Sequence, residues 1–348
     1  MTDLYRIDGQ KLSFHPKRVA QWLEGKDDWE KAKDLFPIYI EVSPVGHCNH
    51  ACGFCGVDYV MDANKKNRVS PMIDQENFGE RIHEMGRLGV KSVMFAGEGE
   101  PLLHKHINNM TSFAIASGID VSFTTNGTLL HNLDLHAVSW VKVSINAGTE
   151  ATYMQVHKAR AGDWDKVWRN VKEAVAHRNG CDIGVQMVLL PENEHEVDAF
   201  RAKAEAAGVD YAVVKSFSQH KFSLNRQYEK FIPIAPVGSG KLIVRRESME
   251  TKEIPYDKCQ ATPFMWGYWS ANGDFYSCSA YLLDARFNLG NLNTQTFREI
   301  WHGEKRKENW RYVMNDLNIH QCRINCRMNS SNVYLDELVR GPHNGNFI

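Results

Sequence analysis

The sequence predicts an α/β fold: a partial (β/α)6 barrel with a small α+β unit at its C-terminal end. Three observations predict it. Between residues 38 and 217, six short runs rich in β-branched and aromatic residues alternate with stretches of helical periodicity, the pattern of parallel βα units joined by right-handed crossovers. The chemistry-bearing motifs of this region fall at the C-terminal ends of those runs, where such folds place their ligands. Further on, Ala271-Asn272-Gly273-Asp274 lies between two strand-like runs and reads as a hairpin.

Taken in order, residues 1–37 read as a polar lead-in and one amphipathic helix, with Trp22, Trp29, Ala32 and Leu35 on one side. Ile38 to Val42 is a mostly buried strand that leads through Ser43, Pro44 and Gly46 into the first cysteine group. A helix at about Glu76 to Leu88 precedes a strand at Lys91 to Ala96, which enters Gly97-Glu98-Gly99-Glu100-Pro101. A helix at His104 to Ser117 precedes a strand at Ile119 to Thr124, which ends in Thr125-Asn126-Gly127. The remaining strands are Trp140 to Ile145, Ile183 to Leu190 and Tyr211 to Val214, with helices at Asp163 to His177 and His195 to Ala207. The alternation stops over 218–258, where Pro233, Pro236 and Gly238-Ser239-Gly240 mark a connector. Met265 to Ser270 and Phe275 to Ser279 form the hairpin, and helices at Phe297 to Trp301 and Lys305 to Met314 follow. The chain thus divides into a helical lead-in (1–37), a core (38–217), a connector (218–258) and a C-terminal unit with its tail (259–348).

Composition narrows the function. Hydrophobic residues at 43% and charged residues at 24% suit a folded globular chain. A formal charge of -1 leaves no global basic field to drive nucleic-acid binding. No stretch approaches the roughly 20 apolar residues that span a bilayer, and the polar start is no signal peptide, so a cytoplasmic location is expected. There the eight cysteines are not expected to pair as structural disulfides, which makes their spacing the clue.

Cys48, Cys52 and Cys55 form C-x3-C-x2-C just after a strand. Three thiolates on one tight loop can bind three irons of a 4Fe-4S cluster and leave the fourth open to a cofactor or substrate. A zinc loop completed by His47 or His50, or a redox pair, is the competing reading. Cys259, Cys278, Cys322 and Cys326, gathered by a hairpin and a helix-rich segment, could fully ligate a second cluster. Four thiolates would also close a structural zinc site. Cys181, isolated at a strand start, reads as a small buried hydrophobe. Gln186 could reach a cofactor from its strand, against the alternative of a buried glutamine satisfied by backbone.

The stretch Glu41-Val42-Ser43-Pro44-Val45-Gly46-His47-Cys48-Asn49-His50-Ala51-Cys52-Gly53-Phe54-Cys55, with Phe54 before the last cysteine, resembles the cluster loop of the radical S-adenosylmethionine (radical SAM) superfamily. The resemblance implies that the open iron holds the amino and carboxylate groups of SAM. It implies too that the reduced cluster splits SAM to methionine and a 5'-deoxyadenosyl radical, which takes hydrogen from a substrate. Gly99 and Glu100 resemble the loop that receives the SAM amino group. Ser144 and Asn146 resemble positions that contact the SAM ribose or carboxylate, and Lys158 and Arg160 the basic positions facing that carboxylate, with solvated surface charge as the competing reading for the last two. The C-x13-G-x4-C run from Cys259 through Gly273 to Cys278 resembles the opening of the family's SPASM and twitch extensions. Four cysteines are fewer than a full SPASM extension carries, which implies the shorter twitch form with one auxiliary 4Fe-4S cluster.

A cluster with every iron on cysteine cannot coordinate substrate, which leaves it electron transfer or structural support. Electron transfer fits a net oxidation of a small polar substrate of sugar, aminocyclitol or nucleotide type by a dehydrogenase-like oxidoreductase, with flavodoxin or ferredoxin as external electron donor. Such a step needs a base, and Lys215, His220 and Tyr228 stand at strand ends and in the connector, each with a surface role as the competing reading. Peptide oxidation, crosslinking or epimerisation is the main rival, although the 37 residues before the core are short for a leader-binding domain. A redox-neutral isomerase or epimerase and a non-catalytic metal-binding protein are the remaining alternatives.

Overall fold

The computed structural model describes residues 3–7, 9–249, 254–322 and 325–346. It opens with two helices rather than one, α1 (Pro16–Gly25) and α2 (Trp29–Ala32). The chain breaks between them because Asp28 starts a new helix, its carboxylate accepting from the Glu30 backbone N–H at 3.0 Å. Trp22, Ala32 and Leu35 bury their apolar faces against Phe264, Met265, Met314 and Leu335 from the far end of the chain. The guanidinium of Arg306, fully buried, donates to the carbonyls of Ala32, Pro263 and Trp301 and lies over the Trp301 ring.

The barrel follows as β1 (Tyr39–Val42), α3 (Asp58–Lys66), α4 (Gln75–Arg87), β2 (Ser92–Phe95), α5 (Ile107–Ala116), β3 (Asp120–Thr125) and β4 (Val138–Ser144). It continues through α6 (Glu150–His157), α7 (Asp163–Ala176), β5 (Asp182–Leu189), α8 (Val197–Ala207), β6 (Tyr211–Ser216) and β7 (Leu242–Val244). The helices begin where the sequence supplies caps. Asp74 accepts from the N–H groups of Glu76 and Asn77 at the start of α4, whose Phe78, Ile82 and Met85 then cover the sheet.

β1 to β6 pair in chain order and in parallel, as the alternation predicts. The sheet is wider than six strands on both flanks. β7 pairs parallel to β6, so the stretch expected to be only connector contributes a strand. Its three residues are too few to show a period in the sequence.

On the other flank β8 (Trp266–Trp269) pairs parallel to β1, and β9 (Asp274–Tyr276) and β10 (Asn288–Asn291) continue antiparallel. The predicted hairpin therefore joins the barrel sheet itself, giving the order β10-β9-β8-β1-β2-β3-β4-β5-β6-β7. Helices α9 (Phe297–His302), α10 (Glu304–Asn315) and α11 (Asn329–Arg340) complete the fold, α9 beginning with a Thr296/Glu299 capping box.

Strand alternation sorts the side chains. On β4, Val141 and Val143 go under the helix layer with Ile183, Val185, Phe200 and Trp168, whereas Lys142 and Ser144 occupy the opposite, partly open face. That inner face is unusually polar for a sheet centre: Glu41, Ser122, Thr124, Lys142, Ser144 and Gln186 all belong to it, so the barrel interior is built to meet polar ligands. Among the described residues no helix is long and apolar enough to cross a membrane.

Candidate active site

The first cysteine loop leaves the C-terminal end of β1 and is tied down by backbone. Gly53 N–H donates to Val156 O, Ala51 N–H to His157 O and Gly46 N–H to Pro71 O, each within 3.2 Å. These bonds draw in α6, a short helix capped by Thr149 that the sequence reading does not contain. The glycine-glutamate loop after β2 lies against the same turn: Glu100 N–H donates to His47 O at 3.0 Å. A Cβ on Gly99 would stand 2.1 Å from His47 O and 2.4 Å from Val45 O, so only glycine allows this approach. Gly99 thus fits the loops to each other.

Around the thiols the polar partners are specific. Cys48 Sγ accepts from His50 N–H at 3.4 Å and is approached by Asn126 Nδ2 at 3.9 Å. Cys52 Sγ meets His157 Nδ1 at 3.1 Å, and the imidazole's other nitrogen lies 2.9 Å from Ile145 O. Burial, followed by repulsion from His50, lowers the His157 pKa to about 3, so this ring is neutral. The ligand atoms of His50, Cys52 and His157 all lie within 4.8 Å of one another. His157 carried no sequence signal, because a histidine ending a short unpredicted helix has no motif around it. Phe54 sets its ring edge-on to His157 at 5.5 Å.

Glu100 is buried, and both carboxylate oxygens are occupied: Oε1 accepts from Thr125 Oγ1 at 2.6 Å and Leu102 N–H at 3.1 Å, and Oε2 from Asn126 N–H at 2.7 Å. Desolvation raises its pKa against those three bonds. Ser144 and Gln186 stand side by side in the β4–β5 register. Asn146 adopts φ +53° and is committed to the fold: its side chain accepts from Val188 N–H at 2.7 Å, while its carbonyl accepts from Asn193 Nδ2 at 2.8 Å. Lys158 ends α6 at φ +51°, and both it and Arg160 are exposed.

The second cysteine group is assembled from the hairpin, the turn before residue 322 and the segment entering α11. Burial pushes Cys259 up to about 11, with Cys326 and Cys322 adding repulsion; the same causes raise Cys278. In the first group burial comes first again, then Cys55 and Cys48, which repel a thiolate on Cys52. Tyr281 OH lies 3.0 Å from Cys322 Sγ, and Asn332 Nδ2 donates to Cys259 Sγ at 3.6 Å. Asn332 Oδ1 also accepts from the N–H groups of Gln260 and Ala261 at 2.8 Å each, so α11 holds the Cys259 turn. Both groups fit an iron-sulfur core: soft donors crowded in buried surroundings repel one another as thiolates, and a cationic core offsets that repulsion.

Between the two groups lies a cavity of about 490 Å³. Phe54 and Gly56 line it from the first loop, Val188 and Lys215 from the ends of β5 and β6, and Cys259, Cys322 and Cys326 from the second group. His220 lines it as well, its ring so close that a Cβ on Gly56 would stand 2.8 Å away. Tyr228 instead packs against Phe217, its hydroxyl 3.1 Å from Glu192. Arg245 and Arg327, which the sequence reading passed over, also line the cavity. Arg327 reaches Glu41 Oε2 and donates to Tyr39 OH at 3.2 Å, and Arg245 Nε donates to Glu247 at 2.8 Å. Its place directly after Cys326 was the one hint for Arg327.

A half-open parallel barrel with three thiols at the end of its first strand, followed by a four-thiol group against the same cavity, defines a class, and sequence comparison gives its name. The profile of the radical SAM superfamily matches residues 42–204, and that of the SPASM iron-sulfur cluster-binding domain matches residues 259–327. The chain belongs to the radical SAM superfamily: it is a radical SAM enzyme that uses SAM and a 4Fe-4S cluster and carries auxiliary iron-sulfur binding in its C-terminal part. A GTP 3',8-cyclase of Hydrogenovibrio crunogenus is 25% identical over 230 residues, 64% of this chain and 61% of that one. An S-adenosylmethionine-dependent nucleotide dehydratase of a Thermoplasmatales archaeon is 27% identical over 150 residues, 42% of this chain and 50% of that one. The alignments therefore span only about half to three-fifths of these curated relatives. In fold the chain is similar to Streptococcus suis SuiB bound to precursor peptide SuiA, with a TM-score of 0.59 at 15% identity, covering 84% of this chain and 69% of that one.

Proposed function

We propose that this radical SAM enzyme acts on a small polar substrate of sugar, aminocyclitol or nucleotide type, held in the cavity between its two cysteine groups, and that the net reaction is an oxidation. One observation carries the reading: a single cavity is bounded by Phe54 and Gly56 of the first loop and by Cys259, Cys322 and Cys326 of the second. In this reading Cys48, Cys52 and Cys55 hold the SAM-binding cluster, and Cys259, Cys278, Cys322 and Cys326 hold the auxiliary one. When bound, the first cluster with SAM supplies the group that takes hydrogen from substrate, and the auxiliary cluster supplies an electron acceptor. A flavodoxin or ferredoxin is the proposed reductant, in the reducing cytoplasm where these thiols keep their metal.

The chain's own residues do the rest. Glu100 anchors the loop beside His47 and, with Ser144 and Gln186, presents oxygen and amide groups to SAM. Asn146 acts through the β4–β5 backbone that carries them. Lys158 and Arg160 are exposed to solvent. Lys215 and His220 face the cavity and are the proposed proton acceptors; Tyr228, bonded to Glu192, positions Phe217. In this reading the chain divides into the barrel (38–217), the connector (218–258) and the auxiliary-cluster part (259–348).

A second reading has specific support: the relatives named cyclase and nucleotide dehydratase are not oxidases by name, so a nucleotide substrate without net oxidation is the alternative. One experiment separates the two. Reduced, reconstituted protein is incubated with deuterated sugars, aminocyclitols and nucleotides. Label entering 5'-deoxyadenosine identifies the substrate, and an auxiliary-cluster electron paramagnetic resonance signal rising with product marks oxidation. Product without that signal sinks the oxidation; no label from any of them sinks the substrate class.

A further inference from the structure

Tyr59 sits on α3, four positions after Cys55, and the start of that helix is pinned: the Asp58 carboxylate accepts from Leu224 N–H and Asn225 N–H, each at 2.9 Å. The residue is buried in one apolar cluster with Tyr268, Tyr276, Tyr281 and Phe287, against which Cys259, Cys278 and Cys322 are packed. Phe222 joins it to that group, its ring centroid 5.8 Å from that of Tyr59 and 6.1 Å from that of Tyr281. A residue that follows the first cysteine group in sequence thus belongs to the second by packing.

The other buried phenols of this cluster each reach a polar atom. Tyr268 OH lies 3.3 Å from Glu98 Oε1, Tyr276 OH 3.4 Å from Asp274 Oδ2 and Tyr281 OH 3.0 Å from Cys322 Sγ. The Tyr59 hydroxyl is buried and has no hydrogen-bond partner among the described residues. A hydroxyl taken out of water and bonded to nothing costs free energy, so a buried phenol ordinarily finds a partner. Packing alone does not account for the oxygen, because phenylalanine fills the same apolar space without it. Tyrosine is protonated at neutral pH, and burial, then Glu98, then Cys278 hold the proton more firmly. What this donor lacks is an acceptor.

We propose that the Tyr59 hydroxyl donates a hydrogen bond to sulfur of the auxiliary cluster and so raises that cluster's reduction potential. The inference rests on Cys259, Cys278, Cys322 and Cys326 holding the cluster, and it deepens that reading by naming a residue that sets how readily the cluster accepts an electron. A donor at sulfur favours the reduced core, which carries the greater negative charge. Tyr59 keeps its proton throughout and is a positioning residue, not a redox partner. The rival reading is a buried water that satisfies the hydroxyl and leaves the cluster alone, and the test includes it.

Wild-type and Tyr59→Phe proteins, reconstituted with both clusters, are titrated potentiometrically, each cluster being followed by its own electron paramagnetic resonance signal. At the wild-type midpoint of the auxiliary cluster, the variant is expected to hold an oxidised-to-reduced ratio about tenfold higher, a midpoint lower by about 59 mV for a one-electron couple. The first cluster's midpoint stays where it was. In deuterated buffer, the coupling of an exchangeable deuteron to the reduced auxiliary cluster is lost with the hydroxyl. Should Tyr59→Phe lose iron or fold, replacement of Tyr59 by 3-fluorotyrosine decides, because it keeps the ring and the hydroxyl, is the stronger donor, and is expected to raise the auxiliary midpoint. Three results overturn the proposal: an auxiliary midpoint or a deuteron coupling in Tyr59→Phe that matches wild type, as a buried water would give; equal shifts in both clusters; or an auxiliary midpoint unmoved or lowered by 3-fluorotyrosine. The iron content of the wild-type preparation keeps the two readings apart. About eight irons per chain with any of those results removes this inference alone; about four removes the reading beneath it.

Discussion

The two cysteine groups reach the same chemistry by opposite routes. Cys48, Cys52 and Cys55 fall within eight consecutive positions of one loop, which backbone bonds to α6 and to Pro71 hold in shape. Cys259, Cys278, Cys322 and Cys326 are spread over residues 259–326 and meet only because β8 pairs with β1 and α11 clasps the Cys259 turn through Asn332. The difference teaches that a local group can form with its loop, whereas a dispersed group inherits its geometry from the whole fold. Damage to the first should remove chemistry with little loss of structure, and damage to the second should remove both.

The largest expected effect is that of Cys52→Ala: iron falls by about four per chain and 5'-deoxyadenosine formation drops to background, while the melting temperature holds. A protein that still cleaves SAM would break the comparison at its root. Cys278→Ala should likewise lose about four irons but keep SAM cleavage, lose substrate turnover and melt several degrees lower, because its segment of the fold loses its cross-link. Unchanged melting would show that the second group hangs on the fold without supporting it.

Asn332→Ala leaves the buried N–H groups of Gln260 and Ala261 without an acceptor, a loss on the order of 2–4 kcal/mol in urea unfolding. A loss below about 1 kcal/mol would mean that the metal alone shapes the turn.

Glu98 lies between the two regions, buried, with Tyr268 OH at 3.3 Å and its pKa raised from 4.5 to about 8, chiefly by desolvation. The folded chain holds this proton where the unfolded one has released it, so the carboxyl's contribution to stability is full below pH 4.5 and fades as pH rises toward 8. Glu98→Gln should therefore stabilise the protein at pH 8 relative to pH 5, by about 2 kcal/mol after allowance for local relaxation. An identical pH profile in the variant would show that Glu98 is ionised in the fold.

Smallest is Tyr281→Phe, which removes the phenol 3.0 Å from Cys322 Sγ. The auxiliary-cluster potential should fall by an amount on the order of 50 mV, the equivalent of one modest hydrogen bond, with the first cluster's potential unmoved. A shift in both would mean the two groups are less separate than the fold makes them.

Much of the barrel was legible because its signals are local. The strand runs Ile119 to Thr124 and Ile183 to Leu190 announce β3 and β5, and the Asp74 cap precedes the apolar stripe of α4. The elements that were missed are short or polar. β7 has three residues, α6 shows no apolar stripe, and α3 carries Asp58, Asp62, Asn64, Lys65 and Lys66 around only two buried residues, Tyr59 and Val60. Site residues divide the same way. The cysteines announce themselves by spacing, whereas His157, Arg245, Asn332 and Tyr281 sit in no motif and matter through what they touch.

By itself the sequence determined the order of the six strands β1 to β6, the three-thiol loop and the glycines that let Gly97 to Pro101 lie against it, because each depends on neighbours within a few positions. The tertiary structure alone decided that the C-terminal hairpin would extend the barrel sheet through β1, that Cys259, Cys322 and Cys326 would line one cavity, and that Arg245 and Arg327 would face it. Those outcomes depend on apolar faces finding partners hundreds of residues away, and no local pattern encodes which partner is found.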